Sequence, residues 1–522
     1  MHRIEETAAQ SVKGSFTLLI GNYISLIVNA AGTILVALML SPAEYGLFTI
    51  TLVLPSLFSL FTNWGIDQAL INFIARHRSQ KKQDEISSLI RTGYVFKIAL
   101  GVLLSIALYL SAEFLTTVVL KRPEVSEYVR IASIYIFSST IYNIAISILT
   151  GFEKMDNRAL LTIIQALIKG TLSPALVYIG YGVTGVVIGH VASYFAAAFT
   201  GLIVVILMTR TLPRKQDSTI SPNTLRLLLG YGLPLSLGAI LTGLAGQFNG
   251  FLLSWFILDE LIGNYSVATR FVSLLSVVSA SIVTTFLPAF SKYDVNHERK
   301  LTEDIYQGSV RYSTIFLIPF TCLMITLSGP GISTLFGAKY PYAPLYLSLL
   351  MIPHLLVGTG SLSINQFLNS QRETRATMAI QSISSITKII FSLFFIRIWG
   401  VTGLILGLIT SDTVRNLIGL YVLNAKYGIK PKMGHTLRTL LCSGISSGIS
   451  LGFQRLIPIE QPFPNLAINA SIFMISTLLL FPFMGVLEKK DIQNLNSMFK
   501  NIPLLYPLAN IILNLEARLL NM

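Results

Sequence analysis

Three cationic side chains lie inside long apolar stretches of this sequence. Lys169, Arg270 and Lys388 have no carboxylate in their neighbourhood that would obviously neutralise them. A cation near the centre of a bilayer costs at least about 2.5 kcal/mol on insertion scales, so such residues usually face a cavity or a partner. We expect Arg270 to be buried, and an unpaired cationic cavity suits a phosphate or pyrophosphate ligand. The alternative is that these side chains snorkel to the interface or bond to carbonyls of kinked helices.

Other ionisable groups in the apolar stretches have simpler explanations. Asp412 precedes Arg415 by three residues, which predicts an ion pair on one helix face with an architectural role. Asp67 lies near the inner end of the second apolar stretch. Lys97 is placed a turn or two from the inner surface, which favours snorkelling.

No pattern of metal ligands or paired cysteines occurs. His190 and His354 are isolated histidines without companions at ligand spacing, so packing or cavity-lining roles are expected. Cys322 and Cys442 are the two cysteines, and both lie within apolar stretches. Neither a disulfide framework nor a cysteine zinc site is predicted, and no cofactor is implied.

Uncharged polar residues recur on one face of several apolar stretches. They are Ser25, Asn29 and Thr33 in the first stretch, Ser236, Gly243, Gln247 and Ser254 in the seventh, and His354, Ser361, Asn365 and Asn369 in the tenth. A glycan that crosses a wet cavity needs many donors and acceptors, which makes Asn29, Gln247 and Asn365 candidate substrate-binding residues. Helix packing through small and polar residues is the competing account.

The composition shows what positions these residues. Of 522 residues, 62 are charged (12%), 53% are hydrophobic, and the mean hydropathy is +0.68. A soluble domain carries about twice that charged fraction. The formal net charge of +14 comes from Lys and Arg in loops between apolar blocks, so membrane orientation explains it better than nucleic-acid binding.

The apolar blocks predict fourteen transmembrane helices in an α-helical bundle, because about 20 apolar residues span a bilayer and the blocks lack the alternation of a barrel strand. A cytoplasmic N-terminus leaves 27 of the 38 Lys and Arg on the near side and six on the far side. Both termini are therefore predicted to be cytoplasmic. The spans lie near 14–40, 45–74, 90–112, 128–150, 159–180, 183–208, 227–257, 263–290, 306–328, 344–369, 375–397, 402–424, 437–456 and 467–487.

The segments outside the spans are short. The far-side loops leave no room for an external catalytic domain, and no near-side loop contains a GxxxxGK[ST] phosphate loop. The first block lacks a cleavage site and is expected to be a retained span. The tail from Asp491 to Met522 is expected to be an interfacial or partner-docked helix.

An internal repeat divides the chain. The stretch Gly182-Val-Thr-Gly-Val-Val-Ile-Gly189 returns as Gly400-Val-Thr-Gly-Leu-Ile-Leu-Gly407, 218 residues later, and Lys169 and Lys388 keep nearly the same offset. This pattern predicts a six-helix lobe at 1–210, a second at 211–430, two additional spans at 431–490 and a tail at 491–522. Parallel repeats of this kind are typical of transporters that work by alternating access.

Several motifs resemble one transporter family. They are Leu40-Ser-Pro-Ala-Glu-Tyr-Gly46, Asn63-Trp-Gly-Ile-Asp-Gln-Ala-Leu70, Gly151-Phe-Glu-Lys-Met155 and Asn264-Tyr-Ser-Val-Ala-Thr-Arg270. In this order they resemble the Wzx-type polysaccharide-biosynthesis flippases of the multidrug/oligosaccharidyl-lipid/polysaccharide exporter superfamily. One departure is Leu38, where family members often have Arg. Ser41 and Glu44 also have the spacing of a capping box, with Pro42 suited to the first helical position.

The resemblance implies a flippase that moves a lipid-linked oligosaccharide across the cytoplasmic membrane and makes or breaks no bond. The lipid pyrophosphate would dock on Arg270 with help from Lys169 and Lys388, the glycan would occupy a polar cavity between the lobes, and the tail would stay among membrane lipids. The first alternative is a cation-coupled multidrug antiporter, although spans 1 and 5 contain no Asp or Glu. The second is a membrane glycosyltransferase or polymerase, for which the outer loops are too short.

Overall fold

The computed structural model describes residues 2–80, 82–210, 222–291, 295, 298–371, 373–488, 491–493, 496, 510 and 516. Over these residues the chain is helical and contains no β-strand, which confirms the predicted all-α class. It divides into a first unit, Met1–Ser266, and a second unit, Val267–Met522. The lobe boundaries inferred from the repeat stay predictions.

The first unit contains ten helices and the beginning of an eleventh. They are α1 (His2–Met39), α2 (Pro42–Thr51), α3 (Val53–Leu60), α4 (Ile66–Ser79), α5 (Gln83–Phe114), α6 (Ser126–Ala132), α7 (Ile134–Gly151), α8 (Met155–Leu176), α9 (Gly182–Thr209), α10 (Pro222–Phe256) and α11 (Asp259–Ser291). Short π-helical segments at Leu115–Val119 and Val177–Tyr181 and a 3₁₀ turn at Pro123–Val125 connect them.

The second unit contains the rest of α11 and seven further helices. They are α12 (Arg299–Thr326), α13 (Ser328–Phe336), α14 (Ala343–Met351), α15 (Ser361–Ser370), α16 (Thr374–Tyr427), α17 (Met433–Leu456) and α18 (Pro462–Phe483). A 3₁₀ segment, Ile352–Thr359, joins α14 to α15.

The chain is a multi-pass membrane protein. Nine helices or helix runs within the described residues are long and apolar enough to cross a membrane. Two of them, Met155–Thr209 and Thr374–Tyr427, have 55 and 54 residues and fold back at a glycine, so each crosses twice. The bent pair α14–α15 adds one crossing, and α11 and α17 have the length for two more. By length and hydropathy, the described residues supply nine such helices or helix runs, or ten with the bent pair, and the number of fourteen spans stays a prediction.

The family-like motif after the first span begins a helix as predicted. The Ser41 hydroxyl accepts a hydrogen bond from the Glu44 backbone N–H at 3.2 Å, and the Ser41 backbone N–H donates to the Glu44 carboxylate at 2.7 Å. This capping box satisfies orphan donors at the start of α2, where Pro42 occupies the first turn. The predicted structural role of the motif is confirmed.

The two long helix runs turn back with the same backbone geometry. Gly182 has φ 49° and ψ −131°, and Gly400 has φ 57° and ψ −131°. Side chains with a Cβ rarely adopt this conformation, so glycine is required at both turns. Beyond the turns, Gly189 packs against Ser173 and Gly407 against Ser392, so closely that an added Cβ would lie 2.7 and 2.6 Å from the serine Cα atoms. The glycine repeat therefore encodes two similar helical hairpins.

A second pair of matching corners fixes the offset between the units. The Lys154 N–H donates to the Leu149 carbonyl and the Glu373 N–H donates to the Leu368 carbonyl, both at 2.8 Å. The donor and the acceptor of the first bond each lie 219 residues before the donor and the acceptor of the second. The helix before this corner and the hairpin after it are thus in register in the two units.

The two helices that follow the repeat pack on the second unit. Buried serines on α17 face its neighbours, and the Ser450 hydroxyl donates to the Asn469 carbonyl of α18 at 3.1 Å. These small polar residues lower the hydropathy of α17 and let its backbone approach its neighbours closely. The predicted tail helix, 491–522, lies mostly outside the described residues.

Candidate functional site

Charged residues meet in the second hairpin. Lys388 lies twelve residues before Gly400 and Asp412 twelve residues after it, so both sit about 18 Å from the turn. Asp412 pairs with Arg415 at 2.9 Å, which confirms the predicted ion pair. Lys388 also interacts electrostatically with Asp412. The expectation that Lys388 has no carboxylate nearby is therefore wrong, because the hairpin brings together residues that are distant in sequence.

A histidine joins this group from the break between α14 and α15. His354 lies in the 3₁₀ segment and interacts electrostatically with Asp412 and Arg415. One turn beyond Asp412, the Asn416 amide donates to the Thr359 hydroxyl at 2.6 Å and holds the segment against α16. We call His354, Lys388, Asp412 and Arg415 the ionic cluster.

The corresponding place in the first unit is aromatic. At the offsets of 219 and 218 set by the corner and the hairpin, Tyr135 corresponds to His354 and Tyr194 to Asp412. The Tyr135 and Tyr194 rings lie edge to face with centroids 4.8 Å apart. His190 and Tyr142 lie 5.3 and 5.6 Å from Tyr194. We call these four residues the tyrosine cluster.

The first unit also contains a buried ion pair that the sequence interpretation missed. The Lys97 ammonium donates to both carboxylate oxygens of Asp67 at 2.7 Å, and the two side chains are 1% and 11% exposed. α5 begins at Gln83, well before the apolar run, so Lys97 lies about 21 Å from the helix start and does not snorkel. Asp67 lies in the first turn of α4, directly after Gly65, which caps the helix with φ 76°.

Lys169 lies on the first hairpin at the position that matches Lys388. It follows Gln165 by one turn and precedes Ser173 by one turn, and the Gln165 amide donates to the Ser193 hydroxyl of α9 at 3.2 Å. The matched serines in the second hairpin, Ser384 and Ser411, are also hydrogen-bonded, at 2.9 Å. Lys169 is half-buried and makes an interaction within the protein.

The first helix packs against α8 beside Lys169. Gly32 lies against Gly170, where an added Cβ would come within 2.4 Å of the Gly170 Cα. Asn29 is half-buried, and its amide donates to the Ser25 carbonyl at 3.0 Å, one turn earlier in the same helix. The structure therefore brings the helices of Asn29 and Lys169 together.

The polar residues of the seventh span have different surroundings. Gly243 packs on Leu60, and the Ser254 hydroxyl donates to the Leu120 carbonyl at 2.6 Å. For these two residues the helix-packing account is right. Gln247 is half-buried between them on α10.

The remaining predicted site residues belong to α11 and α15. Arg270 is exposed on α11, so the expectation that it is buried within the protein is wrong. It lies four residues past Ser266, where the buried face of the helix gives way to an exposed one. Asn365 is half-buried on α15, next to Ile364, which packs on Gly419 of α16.

A model of the polysaccharide biosynthesis protein family matches residues 35–345. The chain belongs to the polysaccharide biosynthesis protein family. This confirms the resemblance drawn from the motifs. One relative is an uncharacterized membrane protein of Methanocaldococcus jannaschii, 23% identical over 419 residues, which cover 76% of this chain and 80% of the relative.

Solved structures share the two-lobed fold of this family member. The lipid II flippase MurJ in an inward closed conformation matches with a TM-score of 0.70 and 18% identity, over 89% of this chain and 98% of that one. An inward-facing multidrug resistance MATE family transporter of the MOP superfamily matches with a TM-score of 0.66 and 16% identity, over 77% and 94%. The predicted two-lobed membrane fold is confirmed.

Proposed function

We propose that the chain is a flippase that moves a lipid-linked oligosaccharide across the cytoplasmic membrane by alternating access. The observation that carries this proposal is its membership of the polysaccharide biosynthesis family in a two-lobed transporter fold. The MurJ flippase, whose substrate is lipid II by its name, has the same fold. Lipid-linked sugars carry phosphate groups, which require cations along their route.

The cations that we propose contact these phosphates are Arg270, Lys169 and Lys388. Arg270 is exposed on α11 and presents a guanidinium that holds a phosphate through two parallel hydrogen bonds. Lys169 and Lys388 occupy matched positions in the two hairpins and act as point charges. Asn29, Gln247 and Asn365 are half-buried amides that we propose contact glycan hydroxyls.

Substitution of Arg270 tests this role. Arg270→Ala is expected to abolish glycan export while leaving folded protein in the membrane, and Arg270→Lys to keep part of the activity. Lys169→Ala and Lys388→Ala are expected to give smaller losses, because each is one of several charges. Export at the parental rate by Arg270→Ala, at equal protein level, would exclude phosphate docking on this residue.

A cation-coupled multidrug antiporter is the second candidate, favoured by the match to a MATE family transporter. Such coupling is usually carried by a carboxylate that can bind a proton or Na⁺. Asp67 is closed into its pair with Lys97, and Asp412 is paired with Arg415. Both of these carboxylates therefore already hold cations, which favours the flippase.

Reconstituted vesicles separate the two candidates. A flippase is expected to move a fluorescent lipid-linked oligosaccharide between leaflets, measured as the fraction reachable by an external quencher, with no dye efflux driven by a proton or Na⁺ gradient. Gradient-driven efflux of a cationic dye with no lipid movement would establish the antiporter instead.

We also propose that both termini are cytoplasmic and that the membrane is the plasma membrane. The excess of Lys and Arg in near-side loops supports this orientation. Gln83 and Gln461 are exposed and lie on opposite sides in this arrangement. A cysteine at position 83, with Cys322 and Cys442 replaced, is expected to label only from the cytoplasm, and one at position 461 only from outside.

A further inference from the structure

The ionic cluster carries more positive charge than an architectural ion pair needs. Within α14, the 3₁₀ segment, α15 and α16, Asp412 is the single acidic residue. Lys388 and Arg415 are both cations at its depth, so with His354 neutral the cluster has a net charge of +1. The Asp412–Arg415 pair alone would be neutral, and Lys388 adds an insertion cost that a purely structural role leaves unexplained.

The arrangement of the cluster is open. The Asp412 and Arg415 side chains are 31% and 34% exposed, whereas Lys97 in the closed pair of the first unit is 1% exposed. Asp412 pairs with Arg415 on its own helix half and interacts across the hairpin with Lys388. Asp412 thus pairs directly with Arg415 and lies within electrostatic range of Lys388, at a partly exposed surface.

We propose that Asp412 is an exchangeable counter-ion. In the empty protein it neutralises Arg415 and Lys388, and a phosphate or pyrophosphate group of the substrate takes its place against both cations. This inference rests on the proposed function and assigns Arg415 and His354, with Lys388, to the anion contact, and Asp412 to the counter-ion that the anion displaces. Arg415 offers two parallel donors, Lys388 a point charge and His354 a ring N–H.

The exchange explains why cations can stay in the membrane between transport events. Removing Asp412 would leave two uncompensated cations, whereas keeping it permanently against them would block the anion. A partly exposed pair is weak enough to be displaced, because exposed ion pairs contribute little net stability. The substrate anion and the Asp412 carboxylate therefore bind the two cations with similar free energies.

The test is anion binding to the purified full-length protein in detergent, measured by isothermal titration calorimetry. The probes are inorganic pyrophosphate and farnesyl diphosphate. Asp412→Asn is expected to tighten the binding of both about tenfold, because it removes a competing charge within a few ångströms. Lys388→Gln and Arg415→Gln are each expected to weaken it by a similar factor.

A matched control exists in the first unit. Glu127 and Arg130 form an ion pair at the same three-residue spacing, 2.6 Å apart and on an exposed surface. Glu127→Gln changes the net charge as Asp412→Asn does and is expected to leave binding unchanged. Unchanged or weaker binding by Asp412→Asn would overturn the proposal, as would equal tightening by Glu127→Gln.

Two further readouts keep the proposal testable and separate from the flippase assignment. If Asp412→Asn does not fold, unchanged binding by Lys388→Gln and Arg415→Gln overturns the proposal on its own. Tighter binding of farnesyl diphosphate than of pyrophosphate supports a lipid headgroup, and the reverse order would assign the cluster to a free phosphate. Vesicles that show no lipid movement would remove the proposed function while the binding results still decide the counter-ion role.

Discussion

The two units fold the same hairpin but place different chemistry at the same position. In the first unit Tyr135 and Tyr194 stack edge to face at 4.8 Å, and at the matching positions of the second unit His354 and Asp412 belong to the ionic cluster. The backbone around them is shared, down to the glycine turns with ψ −131°. The pseudo-symmetry therefore belongs to the scaffold, and each unit carries its own side-chain chemistry.

Membrane charges also differ in how they are held. The first unit closes Asp67 and Lys97 into a buried pair, whereas the second leaves Asp412 and Arg415 partly exposed beside Lys388. A buried pair with both carboxylate oxygens bonded is suited to fix α4 against α5. An open cluster with surplus positive charge is suited to bind an anion. This difference predicts that equivalent substitutions harm folding in one unit and transport in the other.

The largest stability effect is expected from the closed pair. Lys97→Met leaves Asp67 as a buried, uncompensated charge and is expected to lower the free energy of unfolding by about 3 to 5 kcal/mol. The double variant Lys97→Met/Asp67→Leu is expected to recover most of the loss, because both charges are gone. Thermal unfolding of the purified protein measures this. An unchanged melting temperature for Lys97→Met would mean that the pair is not structural, and Arg78→Gln, at an exposed pair, serves as the control.

The glycine turns test whether the scaffold is shared. Gly182→Ala and Gly400→Ala each force a Cβ into a φ near +50° and are expected to cost about 1 to 3 kcal/mol. The two losses are expected to be similar because the backbone angles are similar. Gly444, in open space on α17, is the control, where alanine is expected to be neutral or mildly stabilising. If alanine at either turn caused no loss of stability, the two hairpins would not depend on the same backbone conformation, and the shared scaffold would be contradicted.

A smaller effect is expected in the tyrosine cluster. Tyr194→Ala removes the edge-to-face contact with Tyr135 and is expected to lower the stability by about 1 kcal/mol or more without changing lipid movement in vesicles. The reason is that this cluster is a packing element in the first unit. Loss of lipid movement at normal stability would place the substrate against the tyrosines and erase the functional contrast between the units.

The smallest effect on stability is expected at Glu373, which lies at the corner before the second hairpin. Lys426 donates a hydrogen bond to Glu373 at 2.7 Å and holds the pKa of that carboxyl below its ordinary value. A lowered pKa means that the contribution to stability is present at neutral pH and is lost as the pH falls through the folded-state pKa. Glu373→Gln is expected to lower the melting temperature slightly at pH 7, with the difference disappearing as the pH falls through the folded-state pKa of Glu373. A difference that grows on acidification would contradict this account.

Much of the scaffold could be predicted from the sequence. The length of the apolar runs predicts membrane-crossing helices, and the glycine repeat predicts two matched hairpins. Ser41 and Glu44 predict the start of a helix. Each of these depends on local rules that act within a few turns of helix. The Asp412–Arg415 pair belongs to the same category, since three residues on one helix fix its geometry.

What depends on tertiary contact could not be predicted. Lys97 and Asp67 lie thirty residues apart, and their depth depends on where α5 and α4 begin. Lys388 meets Asp412 only because the chain turns back at Gly400. The exposure of Arg270 depends on which face of α11 packs, and hydropathy does not record that. The sequence does contain one signal of this contact. Lys388 and Asp412 lie twelve residues before and after Gly400, so a helical hairpin that turns at Gly400 places them at equal depth.

The most direct test compares lipid movement by two variants in the same vesicles. Lys388→Ala is expected to keep its fold and move a fluorescent lipid-linked oligosaccharide measurably more slowly than the parent, because the ionic cluster has lost one of its anion contacts. Lys97→Met/Asp67→Leu is expected to move the lipid at close to the parental rate, because its pair serves the fold alone. Normal movement by Lys388→Ala, with loss of movement by a stable Lys97→Met/Asp67→Leu protein, would contradict the account.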